Sequence, residues 1–366
     1  MRRHLLAATA TSEAPIDVHV VCIPYSSLLD EDADLSAEIE EAYGPAGLGL
    51  LTVSGVPGLA EKRSALLPLA QRFAALPDET KEKCVDEASS YSFGWSHGKE
   101  TLEGGVPDLF KGSYYANPKY DAPTQDPELI ERYPSYCRPN IWPEDSLPEL
   151  ASAFKDLGCL MLETGHLLAK HCDRYVLSKN GNREMEQPII RLQDVIADST
   201  AAKARLLHYF PRASEELAAA ARGEEMANWC GWHTDHGSLT GLTSAMYTSP
   251  ENEEVPNPDP TSGLYVRTRQ GDVVQAKIPP GNLAFQMGES TQIHSGGLLQ
   301  ATPHCVQGAG GAAAAGVGRN TFALFMQPRW DVPMSSPGTT TDIGVDRWEV
   351  GMNFGQFTER TLSQYY

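Results

Sequence analysis

Two histidines and an aspartate lie within four positions of the stretch WCGWHTDHGSLTGL, residues 229–242. If this stretch is a β-strand, His233 and Asp235 point to the same face, because side chains alternate along a strand. An imidazole and a carboxylate on one face can bind a metal ion, and a distant second histidine would complete a set of three ligands. Thr234 and His236 would face the other way, so we assign His236 to packing or to support of the site.

Two histidines further along the chain could supply the third ligand. His294 lies in STQIHSGG, directly before a Ser-Gly-Gly turn, whereas His304 in ATPHCVQG begins an apolar run that could form a regular strand. The chemistry of the residues does not choose between them. A zinc hydrolase is a further interpretation, although zinc sites favour more nitrogen or sulfur ligands than this pattern offers.

A second candidate site lies in GRNTFALFMQP, residues 318–328. On a strand, Arg319 and Thr321 share a face and lie about 6.6 Å apart along it. A guanidinium and a hydroxyl on one face can bind a carboxylate. The same face carries Ala323 and Phe325, and an arginine emerging from an apolar wall needs an anionic partner. A structural ion pair with Asp or Glu is the alternative.

Composition limits the class of partner. The 366 residues carry a net charge of −19 and no Lys/Arg-rich run, which argues against nucleic acid. No apolar run approaches the roughly 20 residues that cross a bilayer. Seven cysteines without a C-x-x-C pair indicate reduced thiols in the cytoplasm. The basic start MRRHLLAATATS leaves an organelle address as an alternative. We expect a monomer that acts on a small molecule.

Hydrophobic patterns predict the elements that would position these residues. The region from residue 20 to about 75 predicts the order strand, helix, strand, helix. Residues 147–176 predict a long amphipathic helix. Its predicted apolar stripe consists of Leu150, Phe154, Leu157, Met161, Leu168 and Tyr175. From residue 204 onward, short apolar runs separated by Gly, Pro or Asn predict an antiparallel sandwich or barrel.

Residues 85–145 are rich in Gly, Pro, Tyr and Trp and lack a clear period, which predicts ordered loops. Such loops often carry binding residues, so this segment could form the rim of a site. Within SFGWSHGK, Trp95, His97 and Lys99 are candidates for contact with a substrate. The same side chains could instead only stabilise the loop.

The order of H-x-D, SGGLLQATPH and R-x-T resembles the Fe(II)/2-oxoglutarate-dependent dioxygenases of the isopenicillin-N-synthase-like superfamily, over roughly residues 20–330. The segments IPYSSLLD, IEEAYGPAGLGLLTVSGVPGL and LAQRFAALPDETKEK are similar to the helical amino-terminal region of that family. The resemblance implies an α+β fold with a mainly β core. This core would be a double-stranded β-helix, or jelly roll, flanked by amino-terminal helices and a long central helix.

That architecture implies one structural unit with four parts. Residues 1–18 would be a disordered start, and residues 19–200 a helical region with a loop-rich rim. Residues 201–335 would form the jelly-roll core that binds Fe(II) and 2-oxoglutarate, and residues 336–366 a carboxy-terminal tail.

The family's metal ligands fall on His233, Asp235 and His304, so the resemblance assigns the third ligand. It implies no catalytic residue beyond these three. The family's anchor for the distal carboxylate of 2-oxoglutarate falls on Arg319 and Thr321.

The chain also departs from the family pattern. His208 takes the place of an asparagine that precedes the H-x-D motif, and it could still bind the co-substrate. Phe210 takes the place of a tyrosine, so one hydroxyl contact to the carboxylate would be missing. His294 takes a place usually held by a large side chain beside the site, which makes it a fourth candidate for substrate contact.

The implied activity is oxidation of an unactivated C–H bond of a small organic molecule, by hydroxylation or desaturation, with Fe(II), 2-oxoglutarate and O2. The sequence does not identify the substrate, because one fold serves many substrates. Two alternatives stay open. A non-haem iron oxidase that does not use 2-oxoglutarate would not need Arg319. A non-catalytic jelly-roll binding protein would bind no iron.

Overall fold

The computed structural model describes residues 16–100, 107–180, 187–221, 228–338 and 343–363. Most of the predicted disordered start, residues 1–18, lies outside these ranges. The α-helices, in chain order, are α1 Tyr25–Leu29, α2 Ser36–Tyr43, α3 Leu59–Ala74, α4 Asp78–Glu82, α5 Pro127–Arg132, α6 Pro134–Cys137, α7 Glu149–Asn180, α8 Leu192–Asp198, α9 Ser214–Ala221, α10 Glu289–His294 and α11 Phe354–Leu362.

The β-strands, in chain order, are β1 Ile16–Asp17, β2 Cys22–Pro24, β3 Leu50–Ser54, β4 Gly94–His97, β5 Lys111–Ala116, β6 Lys203–Tyr209, β7 Asn228–His233, β8 Leu239–Thr243, β9 Met246–Thr248, β10 Glu254–Val255, β11 Gly263–Arg267, β12 Val273–Ala276, β13 Leu283–Met287, β14 His304–Gln307 and β15 Gly318–Met326.

These strands form two sheets. The larger sheet has the order β2-β3-β13-β8-β15-β6-β5-β4, and β9 adds to β15 with β10 beside it. The smaller sheet has the order β1-β12-β11-β14-β7. The pairs β2–β3 and β1–β12 are parallel, and the other pairs are antiparallel. The predicted antiparallel pattern after residue 204 is therefore confirmed.

The two sheets face each other across shared apolar clusters. Ala284 of the larger sheet packs in one cluster with Val266 and Val274 of the smaller sheet. Leu207 and Ala323 of the larger sheet pack in another cluster, together with Val306 of β14. Since side chains alternate, residues of odd number on β6 and β15 point inward between the sheets. The architecture is a mixed α/β fold built around a large, mainly β sheet.

Helices cover the outer face of the larger sheet. The long helix α7 confirms the prediction for residues 147–176, and all six residues of the predicted stripe are buried. Phe154 of α7 packs edge to face on Phe322 of β15, with ring centroids 4.9 Å apart. The predicted order strand, helix, strand, helix is also confirmed, as β2, α2, β3 and α3.

The prediction of loops across residues 85–145 was incomplete. This segment contains β4 and β5, which extend the larger sheet from β6. Glycines obscured the pattern: Gly94 begins β4 with a φ of 69°, and a Cβ at Gly112 would lie only 2.1 Å from the ring of Trp95. Close packing of this kind needs glycine, and glycine carries no side chain to show a period of two. Residues 19–200 thus contribute strands as well as helices.

The predicted carboxy-terminal tail contains a helix that packs against other buried residues. Helix α11 belongs to residues 336–366, the predicted tail, and its Phe354 and Phe357 are buried in a cluster with Trp330. Within the described ranges, no helix combines the length and the apolar character needed to cross a bilayer.

We expect Phe154→Ala to lower the free energy of unfolding by about 3–5 kcal/mol, because it leaves a cavity between α7 and the sheet. Urea titration followed by circular dichroism measures this loss. Leu177→Ala on the same helix is the matched control, since Leu177 is 46% exposed. Its expected cost is below about 1 kcal/mol. Equal losses in the two variants would contradict the packing described for α7.

Candidate metal centre

The two histidines of the candidate centre lie on neighbouring strands of the smaller sheet. His233 ends β7 and His304 begins β14, and the two residues are paired directly in the antiparallel ladder. Their ring centroids are 4.2 Å apart. Asp235 follows β7 just beyond the end of the strand. Its Oδ1 lies 3.8 Å from Nε2 of His233 and 3.9 Å from Nε2 of His304.

Hydrogen bonds to the backbone orient both rings. Nδ1 of His233 lies 2.8 Å from the carbonyl oxygen of Gly231, and Nδ1 of His304 lies 3.2 Å from that of Thr302. A carbonyl oxygen only accepts, so each Nδ1 carries the proton and donates it. Each Nε2 of a neutral ring then has its lone pair available for a metal, because the hydrogen bond at Nδ1 fixes the proton there.

The donor set fits a divalent metal ion. One ligand atom from each of His233, Asp235 and His304 lies within 4.8 Å of the others. Oδ2 of Asp235 is buried and has no hydrogen-bond partner among the described residues. A buried carboxylate oxygen without a partner is costly, and coordination to a cation would remove that cost. Two imidazoles and one carboxylate are the ligands typical of non-haem Fe(II).

The two rings differ in their affinity for protons. Burial lowers the pKa of His304 to about 4, so this ring is neutral near pH 7. At His233 the effect of burial is outweighed by the neighbouring Cys230 and Asp235, which raise the pKa to about 9. Metal binding needs neutral imidazole, so an ion that binds here must displace a proton from His233.

His236 and Thr234 lie outside the ligand set, as the alternation of side chains predicts. The half-buried ring of His236 stacks on Phe354 of α11, with centroids 5.7 Å apart. Oγ1 of Thr234 donates to Oε1 of Glu289 at 2.8 Å, and Glu289 forms an ion pair with Arg347. These contacts attach the segment after β7 to helices α10 and α11.

Arg319 and Thr321 lie on the inner face of β15, and both are at least nine-tenths buried. Arg319 is paired with Tyr209 of β6, and its guanidinium lies 4.9 Å from the centre of that ring. Tyr209 packs in the same cluster as Val306 of β14, the strand that begins with His304. Arg319 and Tyr209 therefore lie side by side on the inner face, which packs against the strand that carries His304.

The structure corrects the expectations for His208 and Phe210. His208 points to the outer face of β6, where its Nδ1 lies 2.7 Å from Oδ1 of Asn320. Phe210 shares that outer side and packs against the ring of His208. Contact of His208 with a co-substrate between the sheets therefore does not fit the structure. Tyr209, one position away, is paired with Arg319 and points to the inner face, where it carries a hydroxyl.

Two of the predicted substrate residues lie in the core or beside it. Trp95 is buried, and its ring packs on Phe73 of α3 with centroids 5.1 Å apart. His97 shares the face of Trp95, and its Nε2 lies 3.1 Å from the carbonyl oxygen of Leu109. Neither position supports contact with a substrate. The side chain between them, Ser96, faces a cavity instead.

The other two predicted substrate residues occupy different places. Lys99 is exposed, and its Nζ lies 4.9 Å from the centre of the Tyr91 ring, which lines the cavity. His294 ends α10, is buried, and has its Nε2 3.1 Å from the carbonyl oxygen of Pro333. Lys99 is therefore a residue of the rim, whereas the position of His294 makes it a residue that joins α10 to the following chain.

A cavity of about 180 Å³ opens beside Asp235. Its lining residues come from distant segments and are Ser90, Tyr91, Ser92, Ser96, Glu100, Tyr115, Ser135, Tyr136, Lys203, Asp235, His236, Gly237, Phe325, Gln327 and Thr358. Serines, tyrosines and an amide contribute polar groups to a lining that is otherwise mostly apolar. Sequence reasoning missed most of these residues, because no local pattern relates segments that meet only in the folded chain.

An ion cluster neutralises one wall of the cavity. Glu100 lies 3.0 Å from Lys111 and 2.7 Å from Arg205, and Lys111 also lies 2.7 Å from Asp108. Burial alone would raise the pKa of Glu100, but the charges of Arg205 and Lys111 outweigh it and hold the pKa at about 2. The cluster joins β5, β6 and the segment after β4.

Comparison with known families identifies the amino-terminal part of the chain. Residues 20–145 match the family model described as the non-haem dioxygenase in morphine synthesis, N-terminal region. A search of curated protein sequences found no significant match.

Several solved structures share the fold. A protein from Caulobacter crescentus, described as a member of the 2OG-Fe(II) oxygenase family, has a TM-score of 0.67 and 20% identity, over 95% of this chain and 99% of that chain. A full-length Neurospora crassa protein in complex with alpha-KG and thymine has a TM-score of 0.65 and 20% identity, over 95% of this chain and 97% of that chain. The rice dioxygenase for auxin oxidation has a TM-score of 0.58 and 20% identity, over 94% of this chain and 96% of that chain.

At this level of identity the likeness establishes the fold, and the family model identifies the amino-terminal region. The His-Asp-His cluster lies within the same fold. Residues 20–145 therefore resemble the amino-terminal region of non-haem dioxygenases, and the whole chain has the fold of proteins described as 2OG-Fe(II) oxygenases.

Proposed function

We propose that this protein oxidises an unactivated C–H bond of a small organic molecule, by hydroxylation or desaturation, with Fe(II) and 2-oxoglutarate. The observation that carries the proposal is the convergence of two Nε2 atoms and one carboxylate oxygen within 4.8 Å. We also infer that the two facing sheets form the jelly roll of the superfamily. The cavity beside Asp235 is the proposed substrate site.

In this proposal His233, Asp235 and His304 hold the iron. When bound, the iron and its co-substrate supply the oxidising chemistry, in which 2-oxoglutarate and O2 yield succinate and CO2. The three side chains leave one side of the ion open to reactants. The carbonyls of Gly231 and Thr302 keep the imidazoles in the tautomer that can bind.

Arg319, Thr321 and Tyr209 form the proposed site for the distal carboxylate of 2-oxoglutarate. A guanidinium and two hydroxyls on one inner face can donate several hydrogen bonds to one carboxylate. Burial raises the pKa of Tyr209, so its hydroxyl keeps its proton and can donate. The packing of Tyr209 in one cluster with Val306 of β14, the strand that begins with His304, supports a site close to the metal centre.

Apolar side chains separate this carboxylate site from the proposed substrate cavity. Leu207, Ala323 and Phe325 continue along the inner face from Tyr209 and Arg319. Phe325 also lines the cavity. Their role in the proposal is to exclude water and to hold the substrate against the metal centre, which limits side reactions of the oxidant.

A metal titration tests the ligand set. We expect His304→Ala and Asp235→Ala to weaken Fe(II) binding by more than about 100-fold, since even the loss of a residue that supports a ligand costs 10- to 100-fold. Anaerobic calorimetry measures the affinity. His294→Gln is the matched control, because His294 is the other candidate for the third ligand and is held by Pro333 instead. Loss of binding in this control with binding retained in His304→Ala would overturn the assignment.

An absorption experiment tests the co-substrate. Anaerobic addition of Fe(II) and 2-oxoglutarate should give the visible charge-transfer band of a chelated keto acid. We expect Arg319→Ala to raise the 2-oxoglutarate concentration at half-saturation of this band about 100-fold, because an ion pair is lost. The control Arg267→Ala removes an exposed arginine of β11 and should leave the half-saturating concentration of 2-oxoglutarate unchanged. Wild-type protein that binds iron but gives no band and no succinate would refute the proposal.

A conservative pair of variants tests the position of the tyrosine. We expect Tyr209→Phe to weaken 2-oxoglutarate binding about tenfold, because the carboxylate loses one hydrogen bond. His208→Asn, which restores the residue expected from the family pattern, should change the affinity less than about threefold because that side chain faces outward. The same titration of the charge-transfer band measures the 2-oxoglutarate affinity of both variants. A larger effect at His208 than at Tyr209 would contradict the strand register.

A further inference from the structure

Lys203 places a positive charge at the proposed substrate cavity. It is the first residue of β6 and is paired with Phe325 of β15. By alternation its side chain shares the inner face with Arg205 and Tyr209. Lys203 and Asp235 both line the cavity, so the lysine lies across that space from a proposed iron ligand.

Lys203 has no counter-ion among the residues that the structure describes. Nζ donates one hydrogen bond to the carbonyl oxygen of Ser135, at 2.5 Å. The rings of Phe93 and Tyr136 lie 5.1 Å and 5.5 Å from Nζ. Burial lowers the pKa of Lys203 to about 7, and no carboxylate in the described part of the chain raises it again. An ammonium has three donors, so Ser135 leaves two of them for other partners.

The cations that pair with Glu100, which lines the cavity, differ from Lys203 in this respect. Arg205 is paired with Glu100, and Lys111 is paired with both Glu100 and Asp108. Their charges are therefore already balanced within the protein. Lys203 is half-buried. A charge that is partly removed from water without an opposite charge is unfavourable, and an anionic ligand would balance it. Lys203 is thus better suited than either neighbour to bind an anion in the cavity.

The two aromatic rings give an alternative account of Lys203. Cation–π contacts stabilise an ammonium, so the residue could be purely structural, joining β6 to Phe93 and Tyr136. This account explains the contacts of Nζ with the two rings, but it gives no role to the position of Lys203 in the lining of the cavity. The two accounts differ in whether a ligand senses the charge, which a binding experiment can measure.

We propose that Lys203 binds a carboxylate of the substrate, so that the substrate is a small organic acid. The inference rests on the proposed function and adds a substrate class to it. The site differs from that of the co-substrate, because Lys203 and Tyr209 lie six positions apart along β6, or about 20 Å. The acid group of the substrate would lie at one end of the inner face and that of 2-oxoglutarate at the other.

Matched acids and amides test the proposal. The probes are acetate, benzoate and phenylacetate, each paired with its primary amide, at millimolar concentration. They are added anaerobically to protein saturated with Fe(II) and 2-oxoglutarate, so that the metal and Arg319 are already engaged. The rise in melting temperature with concentration gives the affinity. We expect at least one acid to bind about tenfold more tightly than its amide, because a charged hydrogen bond is added.

Variants test whether Lys203 causes the preference for an acid over its amide. Lys203→Met keeps the length of the side chain and removes the charge, and should reduce the preference to less than about twofold. Lys203→Arg should retain it. The control Lys99→Met removes the exposed lysine of the rim and should also retain it. Wild-type protein that prefers no acid over its amide overturns the proposal, and this comparison needs no variant. A preference that survives in Lys203→Met overturns it as well.

The test of Lys203 and the test of the proposed function can give different results. The charge-transfer band of the wild type reports Fe(II) and 2-oxoglutarate without any substrate. A normal band with no preference for acids refutes the role of Lys203 alone. An absent band refutes the oxygenase assignment, whatever the acids do.

Discussion

The direct pairing of His233 with His304 is the constraint on which the rest of the site depends. It joins the end of β7 to the start of β14, and the register shifts immediately beyond this pair. A slip of one residue along either strand would turn one imidazole to the opposite face. Asp235 lies outside the ladder, and its carbonyl oxygen accepts a hydrogen bond from the backbone of Glu289 at 2.8 Å. Helix α10 therefore helps to hold the third ligand.

The larger sheet allows polar chemistry on one face because its other face supplies the apolar core. Phe322 and Leu324 of β15 are fully buried toward the helices, whereas Arg319 and Thr321 point between the sheets. Charges in such an interior are stable only when they are balanced. The cluster around Glu100 achieves this within the protein. At opposite ends of the inner face, Lys203 and Arg319 are the proposed binding groups for two anionic ligands.

This division also reconciles the acidic chain with acidic ligands. The net charge of −19 disfavours anions at long range. At Lys203 and Arg319 the local charge has the opposite sign, because an ammonium and a guanidinium group project from β6 and β15. In a water-poor interior such local charges act more strongly than the distant surface charge. Recognition of two carboxylates is therefore compatible with the acidic composition.

The sequence by itself determined the features that depend on neighbouring residues. The stripe of α7, the short strands after residue 204, and the H-x-D and R-x-T motifs are local patterns, because helices and strands have fixed periods. Tertiary structure decided which distant segments meet. It placed His304 opposite His233, put Tyr209 rather than Phe210 beside Arg319, buried Trp95 and brought Lys203 to the cavity. These outcomes depend on strand register and on which face is buried, and both are set by packing between segments far apart in the chain.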